Sequence, residues 1–249
     1  MLNLNRHDIS TELLLGLDES AMIMLDGILV HQDIVAPLIS LKAAAASSGF
    51  ELRIASGFRG FERQLAIWNA KAAGERMLLD DAGLVLDWAS LSESELMAAI
   101  LRWSALPGAS RHHWGTDIDV YDAAAVASDY QVQLTPAEVA DEGVFGPFHK
   151  WLDGEFAAGR GDGFFRPYNI DRGGIAPERW HLSYAPLAAF CDFALQAEVL
   201  QQALQRREDL RLKDVILREL PHIYRQYIAV PASCYPASYA DALRGRELL

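Results

Sequence analysis

The sequence predicts one compact domain in which helices alternate with short strands, followed by additional helices at the C-terminal end. Three observations support this: a helical pattern that runs into a strand-like segment at residues 33–54, a second strand-like segment from Thr116 onward, and two helical stretches after Pro186. A chain of 249 residues, 51% of them hydrophobic, is sufficient for one such unit with a sizeable core. We therefore expect a single domain with a core at about residues 30–188 and a helical extension at about 186–249.

The first helix of the core is predicted at residues 33–48. Its apolar residues recur at three- and four-residue steps: Ile34, Val35, Leu38, Leu41 and Ala45. Gly49 follows, at a position where helices commonly end. The alternating segment 50–54 then predicts a strand, and Ser56-Gly57 predicts a turn. This unit places residues 56–59 at the end of a strand.

The remaining elements are less regular. Helices are predicted at residues 62–75 and after a capping box formed by Ser92 and Glu95, with Pro107-Gly108 as the expected end. Residues 110–121 begin as a loop and become strand-like. Residues 122–163 predict an insertion or lid with a short helix near 148–156. The stretches 186–207 and 212–227 are expected to pack as an antiparallel helical hairpin.

Composition disfavours several classes of partner. The formal net charge of −12, from 34 acidic and 22 basic residues, argues against nucleic acid and anionic lipid. No stretch approaches the roughly 20 apolar residues of a membrane-spanning helix, and the N-terminus lacks a basic segment followed by a long apolar run. We therefore expect a cytoplasmic protein without a membrane partner. The two cysteines, Cys191 and Cys234, do not form a thiolate zinc motif.

Four residues in polar segments are the candidates for chemistry: His112, Asp119, Glu178 and His181. A catalytic zinc ion usually takes three ligands from His, Asp, Glu or Cys and keeps one position for water. A loop that leads into a strand can bring His112 and Asp119 to one ion, and His181 is expected on a neighbouring strand. Since alternate strand residues face opposite sides, Glu178 must lie in the turn before that strand, which Pro177 favours.

Three segments resemble the motifs of the VanY-type D-Ala-D-Ala carboxypeptidases and occur in the order of that family. They are Ser56-Gly57-Phe58-Arg59 with the downstream Gln64, Ser110-x-His112-x-x-Gly115-x-x-x-Asp119, and Glu178-x-Trp180-His181-x-x-Tyr184. The resemblance covers roughly residues 36–188. It implies an α+β fold of the Hedgehog/D-Ala-D-Ala peptidase type, in which a small, mostly antiparallel sheet flanked by helices carries the zinc site.

The resemblance also implies a role for each site residue. Zn²⁺ is expected on His112, Asp119 and His181, with Glu178 as general base and then general acid. Arg59 is expected to polarise the scissile carbonyl. The candidates for substrate contact are Gln64, Ser110, Ser56 and Tyr184. Other roles are open: turn hydrogen bonds for the two serines and Gln64, core packing for Tyr184, and an ion pair for Arg59.

One position departs from the family pattern. A small residue usually stands two positions before the ligand aspartate, whereas this sequence has Asp117. By strand alternation Asp117 shares a face with Asp119, so we expect either an extra charge near the metal or a contact that supports a ligand. His113, adjacent to His112 on the chain, is expected to point elsewhere.

The implied reaction is removal of a C-terminal D-alanine from a peptidoglycan stem peptide or muropeptide. A cytoplasmic enzyme that trimmed D-Ala-D-Ala would consume the cell's own pentapeptide precursor. We therefore expect L,D-carboxypeptidase action on the tetrapeptide, in muropeptide recycling. The alternatives are a D,D-carboxypeptidase or dipeptidase, an endopeptidase of the phage-lysin type, and a catalytically silent zinc-binding module.

Overall fold

The computed structural model describes residues 9–81 and 83–243. Its helices are α1 (Thr11–Leu14), α2 (Val35–Ser47), α3 (Phe61–Ala72), α4 (Glu93–Trp103), α5 (Pro136–Val139), α6 (Gly146–Ala157), α7 (Ala185–Ala194), α8 (Ala197–Gln205), α9 (Lys213–Ile223) and α10 (Ala237–Leu243). Its strands are β1 (Met22–Leu25), β2 (Ile28–His31), β3 (Leu52–Ser56), β4 (Asp117–Asp122), β5 (Phe164–Phe165) and β6 (His181–Tyr184). Residues 1–8, part of the segment considered for an export signal, and residues 244–249 of the predicted extension lie outside the described residues.

A four-stranded antiparallel sheet in the order β3-β4-β6-β5 lies at the centre of the fold, so the predicted α+β class is confirmed. Because side chains alternate along a strand, β4 has two different faces. Ile118 and Val120 point to one face, and Asp117 and Asp119 point to the other. The predicted sharing of a face by the two aspartates is therefore correct.

The apolar face of the sheet packs against α2 and α6. Ile118 and Val120 of β4 lie in one buried cluster with Leu38 and Leu41 of α2 and Phe148 of α6. Full burial of such side chains stabilises a fold by about 1.5–3 kcal/mol each. A slip of β4 by one residue would reverse its faces, so this packing also keeps the two aspartates on the opposite side.

A second core joins α3 and α4 to the C-terminal helices. Trp68 of α3 and Ile100 of α4 are fully buried in it together with Leu200 of α8 and Ile216 of α9. The indole Nε1 of Trp68 also donates a hydrogen bond to the carbonyl of Arg211, between α8 and α9, at 3.1 Å. The C-terminal helices are therefore packed against α3, the helix that follows the Arg59 segment.

Two elements differ from the sequence prediction. β1 and β2 form a hairpin whose turn residues, Asp26 and Gly27, both have positive φ; an Asp-Gly pair between apolar runs is the usual sequence of such a turn, and the prediction omitted it. The helix expected at 186–207 is divided at Leu195, which is extended. The Leu195 carbonyl accepts a hydrogen bond from the Tyr224 hydroxyl at 2.8 Å, which replaces the lost helical bond.

The C-terminal helices α8 and α9 pack against each other, as expected for a helical hairpin. The capping box of Ser92 and Glu95 at the start of α4 is also present. Among the described residues, no helix combines the length and the apolar character needed to cross a membrane. The cytoplasmic location stays a prediction.

Candidate functional site

The structure brings the predicted metal ligands together. One ligand atom each of His112, Asp119 and His181 lies within 4.8 Å of the other two, and all three residues are buried. Asp119 and His181 are direct partners across β4 and β6, so their side chains leave the same face of the sheet. His112 approaches from the 3-10 turn Arg111–Trp114, which precedes β4.

The ring of His112 is oriented by the backbone. Its Nδ1 donates to the carbonyl of Gly57 at 2.9 Å, which leaves Nε2 as the atom with a free lone pair. Nε2 lies 3.4 Å from Oδ2 of Asp119. Gly115 ends the turn with a φ of 65°, a conformation that glycine adopts without a steric cost. The sharp change of direction between His112 and β4 therefore depends on this glycine.

The spacing of the three ligand atoms fits a zinc ion. Metal bonds of about 2.0–2.2 Å in tetrahedral geometry separate the ligand atoms by roughly 3.3–3.6 Å. Nδ1 of His181 lies 3.2 Å from Oδ1 of Asp119. Both atoms are buried and have no hydrogen-bond partner among the described residues. A cation bound between them would satisfy both, which supports the predicted ligand set.

Asp117, the residue that departs from the family pattern, contacts the other side of His181. Its Oδ1 accepts a hydrogen bond from Nε2 of His181 at 2.9 Å and another from Nε of Arg111 at 2.8 Å. Although burial opposes ionisation, Arg111 and His181 keep the pKa of Asp117 at about 2. Because Nε2 is engaged with this carboxylate, Nδ1 is the nitrogen of His181 that faces the metal position.

The protonation states of the ligands follow from burial and from their mutual contacts. Burial lowers the pKa of His112, so this imidazole is neutral. For Asp119, burial is outweighed by the two histidines, which hold its pKa well below the usual range. For His181, burial is outweighed by the neighbouring Asp117 and Asp119, which raise its pKa to about 10. These two carboxylates therefore favour the protonated form of the His181 imidazole.

Glu178 lies in the turn that leads into β6, as predicted. The backbone N–H of His181 donates to the Glu178 carbonyl at 3.1 Å, which closes this turn. The carboxylate Oε2 lies 3.6 Å from Nδ1 of His181, beside the metal position. Burial raises the pKa of Glu178 to about 7. A carboxyl group with a pKa near neutrality is suited to accept a proton and to return it.

Arg59 reaches the site from the loop after β3. Its Nη1 donates to Oε1 of Gln64 at 3.0 Å, and its Nη2 donates to the hydroxyl of Ser56 at 3.2 Å. Gln64 is fully buried, and its amide group donates to the carbonyl of Ala105 at 2.7 Å. Burial lowers the pKa of Arg59, but a guanidinium still keeps its charge at neutral pH. Ser56 and Gln64 therefore aim the guanidinium.

All of the groups predicted to take part in the reaction border one cavity of about 630 Å³. Its lining includes the three metal ligands, Glu178, Arg59 and the predicted substrate residue Ser110. The insertion predicted at 122–163 contributes residues 133–137 to the cavity wall. The segment therefore borders the site, and its interpretation as an insertion or a lid stays a prediction.

Three predicted substrate residues lie elsewhere. Ser56, Gln64 and Tyr184 are not among the described residues that line the cavity. Ser56 and Gln64 stand behind Arg59, and the ring of Tyr184 packs against Phe164 with centroids 5.4 Å apart. Direct contact of these three side chains with substrate stays a prediction. His113 points away from the ligands, and its Nε2 accepts a hydrogen bond from the N–H of Gly108 at 3.0 Å.

Tyr168 is a cavity residue that the sequence prediction missed. Its ring lies against the imidazole of His181 with centroids 5.1 Å apart, and its carbonyl accepts a hydrogen bond from the N–H of Glu178 at 3.0 Å. Burial raises the pKa of its hydroxyl, which stays protonated. The only sequence signal was an aromatic residue in the turn-like segment Pro167-Tyr168-Asn169, and many surface turns share that composition.

Comparison with known proteins agrees with this geometry. Residues 27–187, more than half of the chain, match the family model described as VanY, D-alanyl-D-alanine carboxypeptidase. An uncharacterised Haemophilus influenzae protein is 54% identical over 67 residues, which are 27% of this chain and 46% of that protein. A second one is 30% identical over 125 residues, which are 49% of this chain and 92% of that protein. The chain thus matches about half the length of the first relative.

Similar solved structures include a D,D-pentapeptidase and an LD-carboxypeptidase. The vancomycin resistance D,D-pentapeptidase VanY, solved with Zn(II), is 24% identical with a TM-score of 0.47, covering 72% of this chain and 88% of that chain. VanYB in complex with D-alanine-D-alanine is 22% identical with a TM-score of 0.48, covering 75% and 89%. The LD-carboxypeptidase LdcB is 18% identical with a TM-score of 0.46, covering 83% and 78%.

Proposed function

Because the chain belongs to the VanY family of D-alanyl-D-alanine carboxypeptidases, we propose that it is a zinc metallocarboxypeptidase that hydrolyses the C-terminal D-alanine from peptidoglycan stem peptides. One observation carries the proposal. A three-residue metal site, a carboxyl group of raised pKa and a guanidinium meet in one cavity. These groups are sufficient for metal-assisted hydrolysis of an amide bond.

The donor atoms favour zinc over the other divalent cations common in proteins. Two imidazole nitrogens and one carboxylate oxygen are typical of catalytic zinc, whereas Mg²⁺ and Ca²⁺ prefer oxygen ligands. When bound, zinc supplies Lewis acidity and lowers the pKa of a coordinated water to about 7. His112, Asp119 and His181 would hold the ion. Gly57 and Asp117 would orient the two imidazoles through their second nitrogen atoms.

Glu178 transfers the proton, and Arg59 stabilises the negative charge that forms during the reaction. The Glu178 carboxylate takes a proton from the attacking water and passes it to the amine of the departing D-alanine. Arg59 offers its guanidinium to the scissile carbonyl oxygen, which becomes negative as the tetrahedral centre forms. Since Ser56 and Gln64 already fix the guanidinium, little reorganisation is needed during the reaction.

Within this activity we favour L,D-carboxypeptidase action on the stem tetrapeptide, in muropeptide recycling. A cavity of about 630 Å³ has the size of sites for drug-sized ligands, which is larger than a D-Ala-D-Ala dipeptide requires. Its lining includes Asp81, Gln133 and Thr135. These polar groups are suited to the ammonium and carboxylate of a diaminopimelate side chain, which precedes the scissile bond in the tetrapeptide.

Mass spectrometry of peptide products tests the proposal. Zinc-loaded wild-type protein, Glu178→Ala and a control variant, Glu198→Ala, are each incubated with stem tetrapeptide, with pentapeptide and with free D-Ala-D-Ala. The control removes an exposed carboxylate on α8. We expect the tetrapeptide to lose one alanine with wild type and with the control, and to stay intact with Glu178→Ala.

Every other result of this experiment would support a different function. Loss of alanine from the pentapeptide alone supports a D,D-carboxypeptidase, and hydrolysis of free D-Ala-D-Ala supports a dipeptidase. Cleavage inside the stem, without free D-alanine, supports an endopeptidase of the phage-lysin type. If wild-type protein cleaves no peptide, the enzyme proposal is wrong and the silent zinc-binding module replaces it.

A further inference from the structure

A series of buried polar side chains connects His181 to the C-terminal segment. We call it the support cluster: Asp117, Arg111, Asp192 and Tyr235. Arg111 donates from Nε to Asp117 at 2.8 Å, from Nη1 to Asp192 at 3.2 Å and from Nη2 to the Tyr235 hydroxyl at 3.2 Å. The Tyr235 hydroxyl donates to Asp192 at 2.7 Å. Asp117 in turn accepts from Nε2 of His181 at 2.9 Å.

The support cluster is built so that each member depends on another. All four members are buried, and removing one partner of a buried charge is strongly destabilising because it leaves that charge uncompensated. Asp117 is also held at its second oxygen, which accepts from the hydroxyls of Thr116 at 2.7 Å and Ser183 at 3.1 Å. Nη2 of Arg111 donates to the same Ser183 hydroxyl at 2.7 Å. The position of Asp117 therefore depends on Arg111.

Two members of the support cluster lie outside the family-matched region, which ends at residue 187. Asp192 is on α7, and Tyr235 follows the 3-10 turn Ala232–Cys234. The ring of Tyr235 packs against Phe165 of β5 with centroids 4.4 Å apart. Since β5 pairs with β6, the C-terminal segment is docked beside the strand that carries His181.

We propose that Asp192 and Tyr235 are positioning residues for the metal site, which hold His181 through Arg111 and Asp117 with Nδ1 directed toward Asp119. The inference rests on the metal site of the proposed function. It gives the C-terminal segment a role in metal affinity, although none of its residues is a metal ligand. Groups that orient metal-bound histidines typically change metal affinity by about 10- to 100-fold.

The first test compares two substitutions with a matched control. Tyr235→Phe removes only a hydroxyl group, and Asp192→Asn removes a charge with little change of shape. Tyr239→Phe is the control, because the Tyr239 ring packs against the same apolar cluster while its hydroxyl lies outside the support cluster. The zinc dissociation constant of each full-length protein is measured by competition with a chromogenic chelator. We expect an increase of about 10-fold or more for the first two variants and no change for the control.

A second measurement separates positioning from a general loss of stability. If Tyr235 acts through Asp117, its effect should largely disappear once Asp117 is replaced. In an Asp117→Asn background, we therefore expect Tyr235→Phe to change the zinc dissociation constant by less than about 3-fold. The visible absorption of the cobalt-loaded proteins should show an altered coordination geometry in Tyr235→Phe and Asp192→Asn. Circular dichroism and thermal unfolding in chelator report whether the metal-free fold is intact.

The outcomes distinguish the inference from the proposed function. If wild-type protein fails to bind zinc, the metal site of the proposed function is wrong. If wild type binds zinc and both Tyr235→Phe and Asp192→Asn bind it equally well, the positioning role is wrong and the proposed function is unaffected. Equal effects of Tyr235→Phe in the presence and in the absence of Asp117 would also overturn the role, since they would show a route other than this carboxylate.

Discussion

Nε2 of His181 lies 2.9 Å from Oδ1 of Asp117, while on the other side of the ring Nδ1 lies 3.2 Å from Oδ1 of Asp119. One imidazole is thus held between two carboxylates of the same strand. Although burial disfavours a charged imidazole, these two neighbours raise the pKa of His181 to about 10. Because a metal binds only an imidazole nitrogen that carries no proton, metal binding and proton release are coupled at this residue.

Zinc binding at pH 8.5 should release about two protons per metal ion, one from His181 and one from a coordinated water whose pKa zinc would lower to about 7. At this pH His181 is still protonated, since its pKa is raised to about 10, whereas Glu178, with a pKa of about 7, is already ionised. Calorimetric titrations in buffers of different ionisation enthalpy give the number of protons released. The apparent zinc affinity should also increase with pH up to about 10. Release of only one proton per metal ion, which the coordinated water alone would supply, would contradict this assignment of a proton to His181.

Replacement of Glu178 and replacement of His181 should separate catalysis from metal binding. We expect Glu178→Gln to lower kcat by about 10²- to 10⁴-fold with nearly unchanged zinc affinity, because the amide cannot accept the proton but removes no ligand. His181→Ala should lose zinc, since it removes one of three ligands. Both variants are assayed for bound zinc and for D-alanine release. Loss of zinc in Glu178→Gln would mean that Glu178 is itself a ligand.

The convergence of the three candidate metal ligands could be predicted from the sequence, because motif spacing and strand alternation indicate which side chains share a face. Asp119 and His181 follow this logic, and so does the shared face of Asp117 and Asp119. The partners of Arg111 could not be predicted in this way. Asp192 and Tyr235 lie 81 and 124 residues further along the chain, and no local pattern relates residues at such separations. The division of the C-terminal helices at Leu195 likewise coincides with a tertiary hydrogen bond from Tyr224, 29 residues further along the chain.

The acid limb of the pH profile should follow the ionisation of Glu178. Burial raises its pKa to about 7, and only the carboxylate accepts a proton, so kcat/KM should fall about tenfold per pH unit below this pKa. Bound zinc is a positive charge and favours the ionised form of Glu178. The midpoint of the acid limb is therefore expected at or below about pH 7. Lys71 also favours the carboxylate, so Lys71→Met should move the midpoint to higher pH. A Glu178→Gln variant whose kcat/KM falls on the acid side with the same midpoint as the wild type would exclude Glu178 as the base.

Arg59 and Gln64 should differ in which kinetic constant they affect. Arg59→Ala should lower kcat by about 10²- to 10³-fold, because the developing oxyanion loses its charged donor. Gln64 donates to Ala105 and accepts from Arg59, so Gln64→Leu should lower kcat with a small change in KM if it only aims the guanidinium. A rise in KM at constant kcat would instead support the direct substrate contact expected from the sequence. Steady-state kinetics of D-alanine release from the tetrapeptide give both constants.

Gly115→Ala should destabilise the metal-free protein by more than about 1 kcal/mol. Position 115 requires the left-handed backbone conformation, and there is no space for a side chain there. The φ of Gly115 is 65°, and an added Cβ would lie 2.3 Å from the Met22 sulfur and 2.8 Å from the backbone nitrogen of His31. The backbone contact cannot be relieved by a side-chain rotation.

Gly154→Ala is the matched control: Gly154 lies inside α6 with nothing within 4 Å of the added Cβ, and this change should stabilise the protein by about 0.5–1 kcal/mol. Urea unfolding in chelator measures both free energies without a contribution from zinc. Because Gly115 follows the turn that carries His112, a tolerated alanine at this position would show that the geometry of the turn is not fixed by its glycine.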